Sequence, residues 1–268
     1  MHVPSFGSAA SDHDDDKPMS LEPTDRTRVL GAPPPGLVAI DLDGTLVDTV
    51  PDIAWCIDRT MPRFGIPPRG EALVRRWVGN GVEPLVERAL TGGTETLAEP
   101  AMLREACGVF LDLYARHGRD RSRVYPGVRE GVAALRAHGA VLACITNKPR
   151  TPAVDLLAHL ALVDSFELVI GGDSLPRRKP DPMPLLHACS ELRVAVGDSL
   201  FVGDSINDVQ AARAAGMRVA CVSYGYNHGW DVREAAPDAV MDSLEELSAL
   251  CFGAPGHRPR PIESEGMR

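Results

Sequence analysis

Five short apolar runs, separated by stretches with helical periodicity, are the feature that most restricts the fold of this 268-residue chain. Near-continuous apolar runs of this length are typical of strands buried on both faces. Helical crossovers between such strands are right-handed, and they produce a parallel sheet covered on both sides. We therefore predict an α/β fold with a doubly wound, mainly parallel, Rossmann-like sheet. The runs are LVAID (37–41), AVLACIT (140–146), ELVIGG (167–172), SLFVGD (199–204) and RVACVS (218–223).

The segment between residues 50 and 120 has a different pattern. Stretches such as EALVRRWVG and AMLREACGVFLDLYARHG have helical periodicity, and the segment contains no convincing strand. We expect an all-helical cap over 50–120, inserted after the first strand of an α/β catalytic core formed by 37–49 and 121–252. Residues 1–36 are acidic and proline-rich, include a stretch similar to an engineered tag (DHDDDK), and are expected to be disordered. A flexible tail is expected over 253–268.

Composition narrows the classes of function. The net charge of −9 argues against a general nucleic-acid binder, since such proteins are usually basic. No apolar run approaches the roughly 20 residues of a membrane span, and the N-terminus lacks the apolar core of a secretory signal. The six cysteines are widely spaced, which favours reduced structural thiols. We expect a cytoplasmic protein without nucleic-acid or membrane partners; the oligomeric state stays open.

Polar motifs occur at or just beyond the ends of four of the predicted strands. Any one of these motifs by itself could simply form a turn, cap a helix or lie on the solvated surface. In open α/β sheets, however, ligands bind at the carboxyl ends of the strands. Four such motifs in order therefore predict one functional site. The motifs are DLDGT (41–45), TNK (146–148), KPDP (179–182) and GDSIND (203–208).

The carboxylates of these motifs suggest a metal site. Asp41 and Asp204 can offer oxygen ligands to Mg²⁺, a hard cation that keeps several of its waters. Asp208 lies one helical turn beyond Asp204 and could bond those waters from behind. It could equally be a residue at a helix start that complements the helix dipole.

The four motifs, in this order, resemble those of the haloacid dehalogenase superfamily over about residues 37–250. The helical insert lies where this superfamily places its C1 type of cap. A narrower resemblance is to bacterial phosphoglycolate phosphatases, and it rests on WVGNGVEPLVERAL (77–90), YPGV (125–128) and GDSINDVQAARAAGM followed by YGYNHG (203–229). The resemblance implies a Mg²⁺-dependent phosphatase that acts on a small phosphorylated metabolite.

The resemblance also implies roles for individual residues. Asp41 would attack phosphorus and form an aspartyl phosphate, while Asp43 would act as general acid and base. The backbone carbonyl of Asp43 would be a further metal ligand beside Asp41 and Asp204. Thr146, Asn147 and Lys179 would bind the phosphoryl group.

The leading interpretation is hydrolysis of 2-phosphoglycolate to glycolate and phosphate. Alternatives are a sugar-phosphate, N-acetylmuramate 6-phosphate or pyrophosphate phosphatase; a β-phosphoglucomutase-like isomerase and a non-catalytic phospho-switch are less favoured. The superfamily's dehalogenases lack the second aspartate, so Asp43 favours phosphoryl transfer. Its phosphonatases use a cap lysine, and residues 50–120 contain none.

Specificity is expected to come from the cap, which would close over the leaving group. Arg76, Gly79 and Asn80 are candidates for substrate binding there. Arginines on an amphipathic helix more commonly face water, so the alternative for Arg76 is a solvated surface residue.

Overall fold

The computed structural model describes residues 34–93 and 95–253. In these ranges six parallel strands form one sheet in the order β5-β4-β1-β6-β7-β8, and the short β2 and β3 pair with each other. The strands are β1 (Leu37–Ile40), β2 (Val47–Asp48), β3 (Arg123–Val124), β4 (Val141–Ile145), β5 (Leu168–Ile170), β6 (Ser199–Gly203), β7 (Arg218–Val222) and β8 (Ala239–Met241). The predicted α/β fold with a mainly parallel sheet is confirmed, and β8 is an addition to it.

Helices lie between most of these strands. None of those that the structure describes is long and apolar enough to cross a lipid bilayer. The expectations for residues 1–33 and 254–268 lie outside the described residues. The helices are α1 (Val50–Thr60), α2 (Glu71–Trp77), α3 (Val82–Thr91), α4 (Pro100–His117), α5 (Val128–Ala137), α6 (Arg150–His159), α7 (Met183–Leu192), α8 (Ile206–Ala215) and α9 (Glu246–Phe252).

Both faces of the sheet are buried, and this explains the continuous apolar runs. Along β1, Val38 and Ile40 belong to one hydrophobic cluster, whereas Leu37 and Ala39 belong to the cluster on the opposite face. Successive side chains of a strand point to opposite faces, so a strand covered on both sides needs an apolar residue at every position.

Helices α1–α4 enclose a third hydrophobic cluster, which includes Trp77. The two chain segments that enter and leave this helical unit run side by side, because β2 pairs with β3. The buried carboxylate of Asp52 accepts hydrogen bonds from the backbone N–H groups of Arg121 (3.0 Å) and Ser122 (2.7 Å). The separate cluster and the clamped connection support the proposed division into a cap and a core.

Candidate active site

The carboxyl ends of three neighbouring strands carry the predicted motifs. Asp41 follows β1, Thr146 follows β4 on one side, and Asp204 follows β6 on the other. Lys179 lies in the segment between β5 and α7. Because parallel strands end at the same edge of a sheet, these side chains and Asp208 line one cavity between the core and the cap.

Three buried carboxylates form the floor of the cavity. One oxygen from each of Asp41, Asp204 and Asp208 lies within 4.8 Å of the others. Burial raises the pKa of Asp41 to about 7; Lys179 opposes this shift, and the negative charge of Asp208 adds to it. Burial, followed by the charges of Asp208 and Asp41, also raises the pKa of Asp204 well above its ordinary value. Such a cluster of like charges favours the binding of a cation.

The carboxylate oxygens of this cluster are suitable ligands for a hard divalent cation. Oδ1 of Asp41 accepts no well-directed hydrogen bond within the described residues, although the Lys179 Nζ lies 2.9 Å away as an ion-pair partner. Asp204 is held by the hydroxyl of Thr45 (3.2 Å) and by the backbone N–H of Tyr226 (2.7 Å). Carboxylate oxygens fixed in this way are the ligands that hard cations prefer.

Gly44 allows the backbone to approach Asp204 closely. Its φ is +89°, and a Cβ added there would lie 2.4 Å from Oδ2 of Asp204. A side chain at this position would therefore be strained in conformation and would collide with the carboxylate.

The Lys179 ammonium has three partners within the protein. It donates hydrogen bonds to Oδ1 of Asp208 (2.7 Å) and to the carbonyl of Ile145 (2.9 Å), and it forms an ion pair with Asp41. Burial alone would lower the pKa of Lys179, but the Asp208 and Asp41 carboxylates reverse this and raise it above its ordinary value. Lys179 therefore remains a cation beside Asp41.

Asp208 performs the helix-start role that the sequence left open. Its Oδ2 accepts hydrogen bonds from the backbone N–H (3.0 Å) and hydroxyl (2.7 Å) of Ser205, which completes a capping box at α8. Its other oxygen binds Lys179. Asp208 thus positions Lys179 in addition to capping the helix, while its contact with waters of a metal ion stays a prediction.

Thr146 and Asn147 lie in the loop after β4. The Thr146 hydroxyl accepts a hydrogen bond from the backbone N–H of Lys148 (3.2 Å). The Asn147 side chain donates to the carbonyl oxygens of Gly79 and Lys179, both at 2.9 Å, and so connects a cap loop to the core. Both residues line the cavity, as the predicted phosphate site requires.

The three cap residues predicted to bind substrate lie in different places. Gly79 lines the cavity. Asn80 instead lines a surface groove together with Arg177 and Arg178. Arg76 lies near His228 and lines another surface depression, so the structure does not bring Arg76 or Asn80 to the cavity.

Comparison with known proteins identifies the family. The sequence profile of the haloacid dehalogenase-like hydrolases matches residues 38–222. The chain belongs to this family. A phosphoglycolate phosphatase of Nitrosococcus oceani is 50% identical over 216 residues, which are 81% of this chain and 96% of that protein. A phosphoglycolate phosphatase of Pseudomonas putida is 45% identical over 218 residues, 81% of this chain and 80% of its own length.

Structural comparison agrees with this assignment. A crystal structure from Haemophilus somnus, described as a predicted phosphoglycolate phosphatase, superimposes with a TM-score of 0.75. It is 34% identical, and the match covers 79% of this chain and 96% of that chain. The resemblance to the haloacid dehalogenase superfamily is thus confirmed, and the chain is a phosphatase of this family.

Lys148 is a residue of this hydrolase to which the motifs assigned no role. Its Nζ donates a 2.8 Å hydrogen bond to Oδ1 of Asp43 and lies 4.8 Å from the centre of the Tyr114 ring in the cap. Burial would lower the pKa of Lys148, but Asp43 and Tyr114 reverse the effect and raise it. The sequence feature that could have indicated a role for Lys148 is its position in the TNK motif, next to Thr146 and Asn147, which were predicted to bind phosphate.

Tyr226 connects the acidic cluster of this hydrolase to the entry of the cap. Its hydroxyl donates to Oδ1 of Asp48 (2.7 Å) and accepts from the backbone N–H of Thr49 (2.8 Å). Its own backbone N–H donates to Asp204. In the sequence, YGYNHG (224–229) contributed only to the resemblance to phosphoglycolate phosphatases.

Proposed function

We propose that this hydrolase is a Mg²⁺-dependent phosphatase that converts 2-phosphoglycolate to glycolate and phosphate. The observation that carries the proposal is the pair of aspartates, Asp41 and Asp43, each joined to its own buried lysine and both facing one small cavity under the cap. Relatives that are 45–50% identical are named phosphoglycolate phosphatases, which supports the choice of substrate.

Asp41 acts as the nucleophile. Its carboxylate oxygen forms a bond to phosphorus while the bond from phosphorus to the glycolate oxygen breaks, which leaves an aspartyl phosphate. The cation on Lys179 offsets the charge of Asp41 and of the transferring group, and Asp208 and Ile145 fix its position. Charge organised before the reaction in this way is commonly the largest catalytic contribution.

Asp43 acts as the general acid and then as the general base. It donates a proton to the departing glycolate oxygen, and it then takes a proton from the water that attacks the aspartyl phosphate. It follows Asp41 by two residues and lines the same cavity. The Thr146 hydroxyl and the backbone N–H of Asn147 bind the phosphoryl oxygens.

Mg²⁺ would be held by the carboxylates of Asp41 and Asp204 and the backbone carbonyl of Asp43, with Asp208 behind them. When bound, it neutralises the negative charge that the phosphate and the carboxylates bring together. A site with so few protein ligands suits Mg²⁺, because this ion keeps several of its waters.

The lining of the cavity favours a small ester. The cap residues that line it are apolar apart from Tyr114 and the two glycines Gly79 and Gly81. A hexose phosphate, N-acetylmuramate 6-phosphate or the two phosphates of a mutase substrate would need more polar groups than this cap lining offers.

Phosphate release from a panel of esters tests the proposal. The panel contains 2-phosphoglycolate, hexose phosphates, N-acetylmuramate 6-phosphate and pyrophosphate, with Mg²⁺ present and with EDTA and Asp41→Asn as controls. The proposal predicts the highest kcat/KM for 2-phosphoglycolate, and loss of activity in both controls. Preference for another ester would refute the assigned substrate, and turnover by the Asp41→Asn variant at the wild-type rate would refute the mechanism.

A further inference from the structure

The cavity contains two buried cations with very different surroundings. Among the described residues that line it, Lys148 and Lys179 are the basic side chains. The three ammonium donors of Lys179 face Asp41, Asp208 and the carbonyl of Ile145. Two carboxylates and a carbonyl oxygen thus hold Lys179 in place, which makes it the weaker candidate of the two for binding the leaving group.

The Lys148 ammonium has donor capacity to spare. Its Nζ donates to Oδ1 of Asp43, and it lies beside the Tyr114 ring. An ammonium group carries three donors: one binds Asp43, and the Tyr114 hydroxyl is close enough to interact with a second. The side chain of Lys148 is only 4% exposed, so bulk water does not satisfy the third. A buried cation with an unused donor is a strong binding group for an anion.

Tyr114 supplies a second polar group on the cap side. It is buried, and its hydroxyl has no geometrically satisfactory hydrogen-bond partner among the described residues. Burial raises the pKa of Tyr114 to about 12, with Lys148 opposing the shift, so the hydroxyl keeps its proton near neutral pH. Tyr114 therefore offers an O–H donor next to the Lys148 ammonium.

We propose that Lys148 and Tyr114 bind the carboxylate of the leaving group and so select 2-phosphoglycolate over phosphate esters whose leaving group is uncharged. This inference rests on the proposed function. Asp43, which protonates the leaving oxygen, touches Lys148, so the carboxylate next to that oxygen in glycolate lies within reach of the same ammonium. The other cap residues at the cavity are apolar or glycine and could bind a carboxylate only through backbone groups.

The test compares 2-phosphoglycolate with its amide, 2-phosphoglycolamide, which has the same shape but no carboxylate charge. Lys148→Met also disturbs Asp43, and it will slow both esters. The informative quantity is therefore the ratio of the two kcat/KM values. We expect Lys148→Met to reduce this ratio by about 10- to 100-fold, and Tyr114→Phe by about 2- to 10-fold, mainly through KM for 2-phosphoglycolate.

Arg178 provides the matched control. Its guanidinium lies beside Gly81 at the outer groove, where a Cβ added to the glycine would be 2.8 Å from Nη1. Arg178→Met is expected to keep the wild-type ratio. Loss of selectivity in this variant but not in Lys148→Met would overturn the inference.

Equal losses on both esters in the Lys148→Met and Tyr114→Phe variants would also overturn it. If Lys148→Met does not fold, an unchanged ratio in Tyr114→Phe alone refutes the proposed pair. A wild-type enzyme that does not hydrolyse 2-phosphoglycolate would instead refute the proposed function, and this inference with it.

Discussion

Replacement of Lys179 by methionine gives the sharpest test of how the site is held together. The change preserves most of the side-chain volume but removes an ammonium that lies 2.7 Å from Asp208 and 2.9 Å from Asp41. Removal of one partner from a buried ion pair costs about 3–5 kcal/mol, because the remaining charge stays buried without compensation. For a chain of this size each kcal/mol lowers Tm by about 2–4 °C, so we expect a decrease on the order of 6–20 °C.

The assay is thermal unfolding in EDTA, with kcat/KM for 2-phosphoglycolate measured in Mg²⁺. We expect the activity to fall by at least about 10²- to 10³-fold, the usual effect of removing one group that stabilises the charge of the transition state. Lys148→Met is the matched control, since it removes a second buried ammonium with a single carboxylate partner. We expect it to cost about 1.5–3 kcal/mol of stability.

A double-mutant cycle distinguishes loss of the Lys179–Asp208 interaction from general destabilisation of the fold. Because Lys179→Met/Asp208→Asn leaves no charge of Asp208 uncompensated, the double variant should regain part of the lost Tm without regaining activity. The reasoning would be refuted if Lys179→Met unfolded within about 2 °C of the wild type, or if the two substitutions lowered the free energy of unfolding additively.

Three further predictions concern the nucleophile loop and the acidic cluster. Asp43→Asn should reduce kcat by about 10²- to 10⁴-fold through loss of the general acid, and it should keep the fold while lowering Tm, because the buried Lys148 ammonium loses its carboxylate partner; a kcat near that of the wild type would contradict the assigned role. Mg²⁺ should raise the Tm of the EDTA-treated wild type but not that of Asp204→Asn, because binding to the native state relieves the repulsion among the buried carboxylates; equal stabilisation of both proteins would place the metal elsewhere. Gly44→Ala should abolish most activity and weaken Mg²⁺ binding in calorimetric titrations, since its Cβ would lie 2.4 Å from Oδ2 of Asp204; Mg²⁺ affinity equal to that of the wild type would refute the close packing at this turn.

The sequence predicted the sheet and the location of the site because both follow from local pattern. Apolar runs identify strands buried on both faces, and parallel strands bring their carboxyl ends to one edge, so motifs far apart in the chain had to meet there. The strand β8 was not predicted, although it has three residues, the same number as the predicted β5. Its pairing with β7 is a consequence of tertiary packing.

The cap side of the site was harder to predict, because its contacts join residues distant in the chain. Lys148 is separated from Asp43 by 105 residues, and Tyr226 from Asp48 by 178. Helical periodicity shows that Tyr114 faces the inside of the cap, but it does not show that its hydroxyl reaches the cavity. Similarly, an arginine such as Arg76 looks like a substrate ligand in sequence, whereas the structure places it by His228, away from the cavity.

The most direct test of the central claim is to trap the covalent intermediate. The enzyme would be acid-quenched during turnover of 2-phosphoglycolate with Mg²⁺ and then reduced with borohydride, which converts an aspartyl phosphate to homoserine. The account predicts homoserine at position 41 by peptide mass spectrometry, and none when EDTA replaces Mg²⁺. Homoserine at another aspartate, or rapid turnover with an unmodified Asp41, would contradict it.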